Sequence, residues 1–167
     1  MRNRIFLIKS KESSYCPVCN TELSYYDRKE RYVIHDDGIR LKYAFRRLEC
    51  KCQTCNLRIH TEIPDFTQPF KHYAAHVIQV ELDESSDSCP AESSTINLWK
   101  RQFNNNLNRL ENVLKAQWHK VLNKHYPLIA DSLLTKLRTT ETKWLTSVTQ
   151  ICLKGHHGIP TQFAFSP

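Results

Sequence analysis

The chain has 167 residues, a net charge of +7, seven cysteines and only three glycines. That length makes one domain or two small ones. The scarcity of glycine argues against a Gly-rich phosphate loop, and no apolar run approaches the roughly 18 residues of a membrane span. The first ten residues carry a single apolar run, Ile5-Phe6-Leu7-Ile8, too short for a secretory signal core, so a cytoplasmic setting with reduced thiols is expected.

In chain order, a short lead strand and a polar linker are expected before Cys16. Cys16-Pro-Val-Cys19 and Cys52-Gln-Thr-Cys55 are Cys-x-x-Cys turns. Two such turns side by side present four thiolates in a tetrahedron, as in closed structural zinc sites. The expected ligands are therefore Cys16, Cys19, Cys52 and Cys55, holding one structural Zn2+. Cys50 is the spare and would replace Cys52 if the register slips by two. Metal binding would supply folding free energy to a region poor in buried residues.

Between the turns the sequence spells a β-hairpin: Arg31 to Ile34, a turn at Asp36-Asp37-Gly38, then Ile39 to Leu48. Asp-Gly between apolar runs is a strong hairpin signal because the turn needs positive φ. In the second strand Ile39, Leu41, Tyr43 and Phe45 alternate with Arg40, Lys42, Ala44 and Arg46, so one face carries three cations. A short extended piece from Leu57 is ended by Pro64.

Helical spacing begins at Tyr73 and runs to Leu82, through Val77 and Ile78. Residues 83–90 are polar and form a break. Ser93-Ser94-Thr95 opens the next helix, with the serines as caps and Ile96, Trp99 and Phe103 as its buried stripe. From Asn104 the helix continues or restarts through Leu107, Leu110, Leu114, Trp118 and Val121, until Pro127 stops it. Further helices are expected from Leu128 to Leu137 and from Thr140 to Cys152. His156-His157 lacks a third partner at ligand spacing and is not read as a metal site.

Charge is unevenly distributed. Residues 1–96 hold 14 Lys+Arg and 14 Asp+Glu, whereas residues 97–167 hold 10 and 3, the whole of the net +7. A helical region carrying all the excess positive charge fits a nucleic-acid footprint; a solvated lysine-rich face fits it as well. Residues 73–103 form helix, turn, helix, and in a helix-turn-helix the front of the second helix meets base edges. The residues expected to contact DNA are Ser93, Ser94, Thr95, Asn97, Lys100 and Arg101, together with Arg46 and Lys71. An ordinary helical hairpin would show the same spacing.

The motif order strengthens the DNA reading. Arg46-Arg47-Leu48, Cys52-Gln-Thr-Cys55, His60-Thr-Glu-Ile-Pro-Asp-Phe66, Pro69-Phe-Lys-His-Tyr73 and Cys89-Pro-Ala-Glu-Ser-Ser-Thr-Ile-Asn-Leu-Trp-Lys-Arg-Gln-Phe103 resemble a transposase-related family of short proteins of Gram-positive bacteria. The resemblance covers roughly residues 15–105. It implies an N-terminal zinc ribbon followed by a helix-turn-helix, with Cys16, Cys19, Cys52 and Cys55 matching the ribbon cysteines. Ser94-Thr95-Ile96 and Trp99-Lys100-Arg101 match the helix-turn-helix signature, and the extra Cys50 departs from the usual pattern.

The expected fold class is α+β. The expected division is a zinc ribbon at 1–66, a helix-turn-helix at 67–104, a helical extension at 105–154 and an irregular tail at 155–167. The expected function is binding of duplex DNA in connection with a mobile genetic element. The alternative is an adaptor for a transposase or another mobile-element protein, and a homodimer fits either. Catalysis is not expected: the carboxylates beyond Ile96 are only Glu111, Asp131 and Glu141, and no nucleophile is set beside a base.

Overall fold

The computed structural model describes residues 4–11, 13–85, 88–122 and 132–154. They form an α+β arrangement of a four-stranded sheet followed by four helices. The expected tail, Pro127, His156-His157 and the start of the helix predicted from Leu128 lie outside the described residues, as do the side chains of Trp118 and Val121.

The hairpin is the heart of the sheet. Strand β2 (Ser24–Ile34) pairs antiparallel with β3 (Arg40–Glu49), and the register is interrupted only between Tyr25 and Asp27. The turn follows the expected chemistry: the Asp37 carboxylate accepts the Ile39 N–H at 2.8 Å, and Gly38 holds φ at 75°. A side chain there would be strained. The other edge of β3 is shared by β1 (Ile5–Leu7), which runs parallel to it, and β4 (Ile59–Thr61), which runs antiparallel.

Alternation along β3 decides what each face does. Tyr43 and Phe45, with Val33 of β2, are buried against Ala74 and Val77, and Leu41, Phe6 and Phe66 close the cluster. The opposite face carries Arg40, Lys42, Ala44 and Arg46, as the pattern predicts. Its cations have local partners: Lys42 pairs with Glu30, Arg46 with Glu62 and the Tyr25 ring, and Arg40 lies over Tyr32.

Helix α1 (Ala75–Leu82) joins the sheet to the helices. Val77 faces the sheet cluster, while Ile78 and Leu82 enter a second, larger core. That core is built by α2 (Ser93–Leu122), α3 (Leu133–Thr140) and α4 (Trp144–Lys154) through Trp99, Phe103, Leu110, Leu114, Leu133, Leu137, Trp144 and Val148. Helix α2 runs unbroken through Asn104, so the boundary expected between residues 104 and 105 falls inside one helix. The apolar stripe keeps its phase from Trp99 through Phe103 and Leu110 to Leu114, which leaves no packing reason to stop. Its first turn closes on the Glu92 carbonyl, which accepts from Thr95 and Ile96, so the serines expected as caps lie inside the helix.

Two polar junctions lock the helices. Asp83, at the end of α1, accepts the Trp144 indole N–H and the Arg138 guanidinium, each at 2.7 Å. Arg138 also lies over the rings of Trp144 and Phe103. Glu111 of α2 caps α3 from outside: its carboxylate accepts Ser132 Oγ and the Leu133 N–H at 2.8 Å and the Leu134 N–H at 3.0 Å. The burial of Glu111 disfavours its charge, but these donors and Lys115 outweigh it and hold the carboxyl below the ordinary glutamate range.

Candidate functional site

The thiols of Cys16, Cys19, Cys50 and Cys55 lie within 4.8 Å of one another. Cys16 and Cys55 are 3.6 Å apart, and Cys19 and Cys50 are 3.4 Å apart. A tetrahedral ion with about 2.3 Å metal–sulfur bonds needs sulfurs roughly 3.8 Å apart, so the four thiols fit one ion after small adjustments. Cys16, Cys50 and Cys55 are buried, and Leu23 packs against them.

The turn at Cys16 is built for a thiolate. Burial opposes charge there, yet the N–H groups of Cys19 and Val18 and the thiols of Cys55 and Cys19 bring the Cys16 pKa down to about 7. At Cys50 the Cys52 N–H favours the thiolate, but burial and the thiols of Cys19, Cys16 and Cys55 push it up to about 12. Without an ion, four crowded sulfurs cannot all lose their protons; a divalent cation removes that conflict.

The ligand set differs from the expected one at a single position. Cys50 joins the cluster in place of Cys52, whose thiol shares a hydrogen bond with Thr54 Oγ1 at 3.2 Å. The reason lies in the strand. Cys50 follows β3 directly and continues the alternation of Ala44, Arg46 and Leu48, and its N–H is held by the Arg58 carbonyl at 2.8 Å. Two residues further on, Cys52 supplies backbone instead: its N–H faces the Cys50 sulfur and its carbonyl accepts from Cys55. Spacing alone favoured the Cys-x-x-Cys pair; the strand alternation ending at Cys50 was the available signal.

The residues expected to touch DNA divide into three groups. Ser93, Ser94, Asn97 and Arg101 are exposed together at the front of α2, and Thr95 is half-buried. Lys100 is on the same turns but pairs with Glu84 at 3.1 Å. Arg46 and Lys71 lie elsewhere. Arg46 belongs to the open sheet face. Lys71 is buried against α2, where its ammonium donates to Gln102 Oε1 at 3.2 Å, and burial pulls its pKa down to about 8. A lysine so enclosed cannot reach out to a phosphate.

Fold and site thus define an α+β protein with a four-cysteine centre able to hold one metal ion. A family model described as a domain of unknown function (DUF6431) matches residues 16–99, half of the chain, and the protein belongs to that family. The match opens on the first cysteine of the cluster and closes on Trp99, the first fully buried residue of α2. No curated protein and no solved structure matches the chain. Among the described residues no helix is long and apolar enough to cross a membrane.

Proposed function

We propose that the protein binds duplex DNA, with one structural Zn2+ in the four-cysteine centre and the α1–α2 unit acting as a helix-turn-helix, in the service of a mobile genetic element. The observation that carries this reading is the front of α2, where Ser93, Ser94, Asn97 and Arg101 share an exposed surface and the nearby Glu84 is paired with Lys100. Short hydroxyl and amide side chains suit base edges, and a cation one turn on suits a phosphate. Helix α1 packs on the back of this helix through Ile78 and Leu82 against Trp99 and Phe103. The connection at 83–92 is longer than the three or four residues of about the most compact helix-turn-helix, so α1 braces α2 through packing more than through the turn. Four cysteine sulfurs, three of them buried, would suit zinc and a structural role.

Fluorescence anisotropy of the zinc-loaded protein on random-sequence duplex, across a salt series, tests the reading. Affinity should fall steeply with salt, with a slope of about −0.9 per phosphate neutralised. Arg101→Ala should flatten the slope by about 1 while metal content stays intact. Absence of binding at low salt would overturn it.

A second reading, an adaptor for a transposase or another mobile-element protein, draws on a different surface. A shallow depression of about 520 Å³ on the open sheet face is lined by Ile5, Leu7, Tyr25 and Ala44 beside Arg28 and Glu30. Exposed apolar residues on a sheet face are a recurrent feature of protein docking surfaces.

A further inference from the structure

Helix α2 carries far more asparagine than a helix favours. Asn97, Asn104, Asn105, Asn106, Asn108 and Asn112 all fall within it. Asparagine ranks low in helix propensity because its amide competes for nearby backbone groups. Only Asn106 makes such a backbone bond, donating to the Gln102 carbonyl at 2.7 Å. The other five are exposed. Residues that break a local rule without a structural return mark places where function sets the sequence.

Their positions are ordered. Ser94, Asn97, Arg101, Asn105, Asn108 and Asn112 follow one another at spacings of three, four, four, three and four, so they form a single stripe along the helix. The stripe extends about 27 Å at 1.5 Å per residue. It lies opposite Trp99, Phe103, Leu110 and Leu114, which face the core. The helix contains one carboxylate, Glu111, and that group is turned to the start of α3 and to Lys115. The stripe is therefore free of acid, amide-rich and flanked by cations, which suits a polyanion that also presents hydrogen-bonding edges.

Resting on the DNA-binding reading above, we infer that this asparagine stripe is a base-reading surface for adenines in the major groove of an A·T-bearing duplex. An asparagine amide meets both the N7 acceptor and the N6 donor of adenine, a pairing no other base offers it in the same form. The reading surface then extends past the front of α2, beyond the residues of the helix-turn-helix signature, to Asn112. Arg101 within the stripe supplies a phosphate or guanine contact.

The experiment starts with selection of a preferred site by the zinc-loaded protein from a random duplex pool. Affinity is then measured for that site, for a G·C-substituted site, and for the same site with 7-deazaadenine, which lacks N7. Wild type and the triple variant Asn105→Ala, Asn108→Ala, Asn112→Ala are compared. Wild type should lose at least about tenfold on either altered site, since a good bidentate pair discriminates by one to two powers of ten. The triple variant should bind all three alike, with an unchanged salt slope. Alanine raises helix propensity, so far-UV circular dichroism should show the variant folded. Salt-steep binding without adenine preference, or a preference kept by the triple variant, overturns the inference and leaves DNA binding standing. No binding of any duplex by wild type overturns both.

Discussion

The two halves of the molecule are held together by different physics. The sheet half has a small apolar cluster around Tyr43 and Phe45 and, at its far end, three buried cysteines with a fourth beside them. Among the described residues the helical half has fourteen buried core residues, braced by Asp83 and Glu111. Apolar burial stabilises a fold continuously with area. Four thiols contribute little until an ion arrives, and then contribute together. With an ion in the cysteine cluster the first half would draw part of its stability from metal binding, while the second stands on its own packing.

The largest expected effect breaks the comparison at the metal. Chelation, or Cys16→Ser or Cys50→Ser, should remove on the order of 10 kcal/mol of linked folding free energy from the sheet half. Metal analysis should find the bound ion lost in those variants and kept in Cys52→Ser. Loss with Cys52→Ser and retention with Cys50→Ser would reverse the ligand assignment. If chelation also abolishes the helical circular dichroism, the Val33–Val77 cluster couples the halves into one cooperative unit.

Trp144→Ala attacks the other half. It empties a fully buried site and leaves Asp83 without its indole partner. A loss of about 4 kcal/mol in denaturant unfolding is expected, with metal content unchanged. Glu111→Gln should cost less, about 2 kcal/mol, because it removes a charge-assisted cap on α3. Here the sign with pH is informative. The carboxyl is held low in the folded state, so its stabilisation is present above the unfolded glutamate pKa and is lost as pH falls through the folded value. Wild type and variant should therefore converge in acid.

The smallest expected effect concerns Lys71→Met. DNA affinity should stay within twofold, because Lys71 is enclosed. Its pKa of about 8 also sets a direction. Below that pH both folded and unfolded chains hold the proton; between there and about 10.4 the unfolded chain binds more. Wild type should gain stability relative to the variant over that interval, read as a shift in urea midpoint.

The sequence was most legible where local chemistry is decisive. Asp37-Gly38 fixed the hairpin, alternation sorted the β3 faces, and 3.6-residue periodicity found the buried stripe of α2. It was least legible where partners are distant. Cys50 and Cys52 differ by two residues, and the choice between them depends on where β3 ends and on the Arg58 carbonyl across the chain. Lys71 reads as a surface cation until Gln102 and the helix behind it are in place. The cap that Glu111 provides for α3 joins residues more than twenty positions apart, and no periodicity reveals it.

Cys50 has a consequence for how the chain finds its fold. It sits at the end of the central strand, immediately after the last residue paired with β2, and its sulfur meets two others from a turn that precedes β2. A slip of one residue in that hairpin would turn Tyr43 and Phe45 out to solvent and carry Cys50 to the wrong side. An ion that accepts only the correct four sulfurs would thereby act as a proofreader of strand register. Such an ion would favour the hairpin that also builds the sheet's apolar cluster over the one that does not.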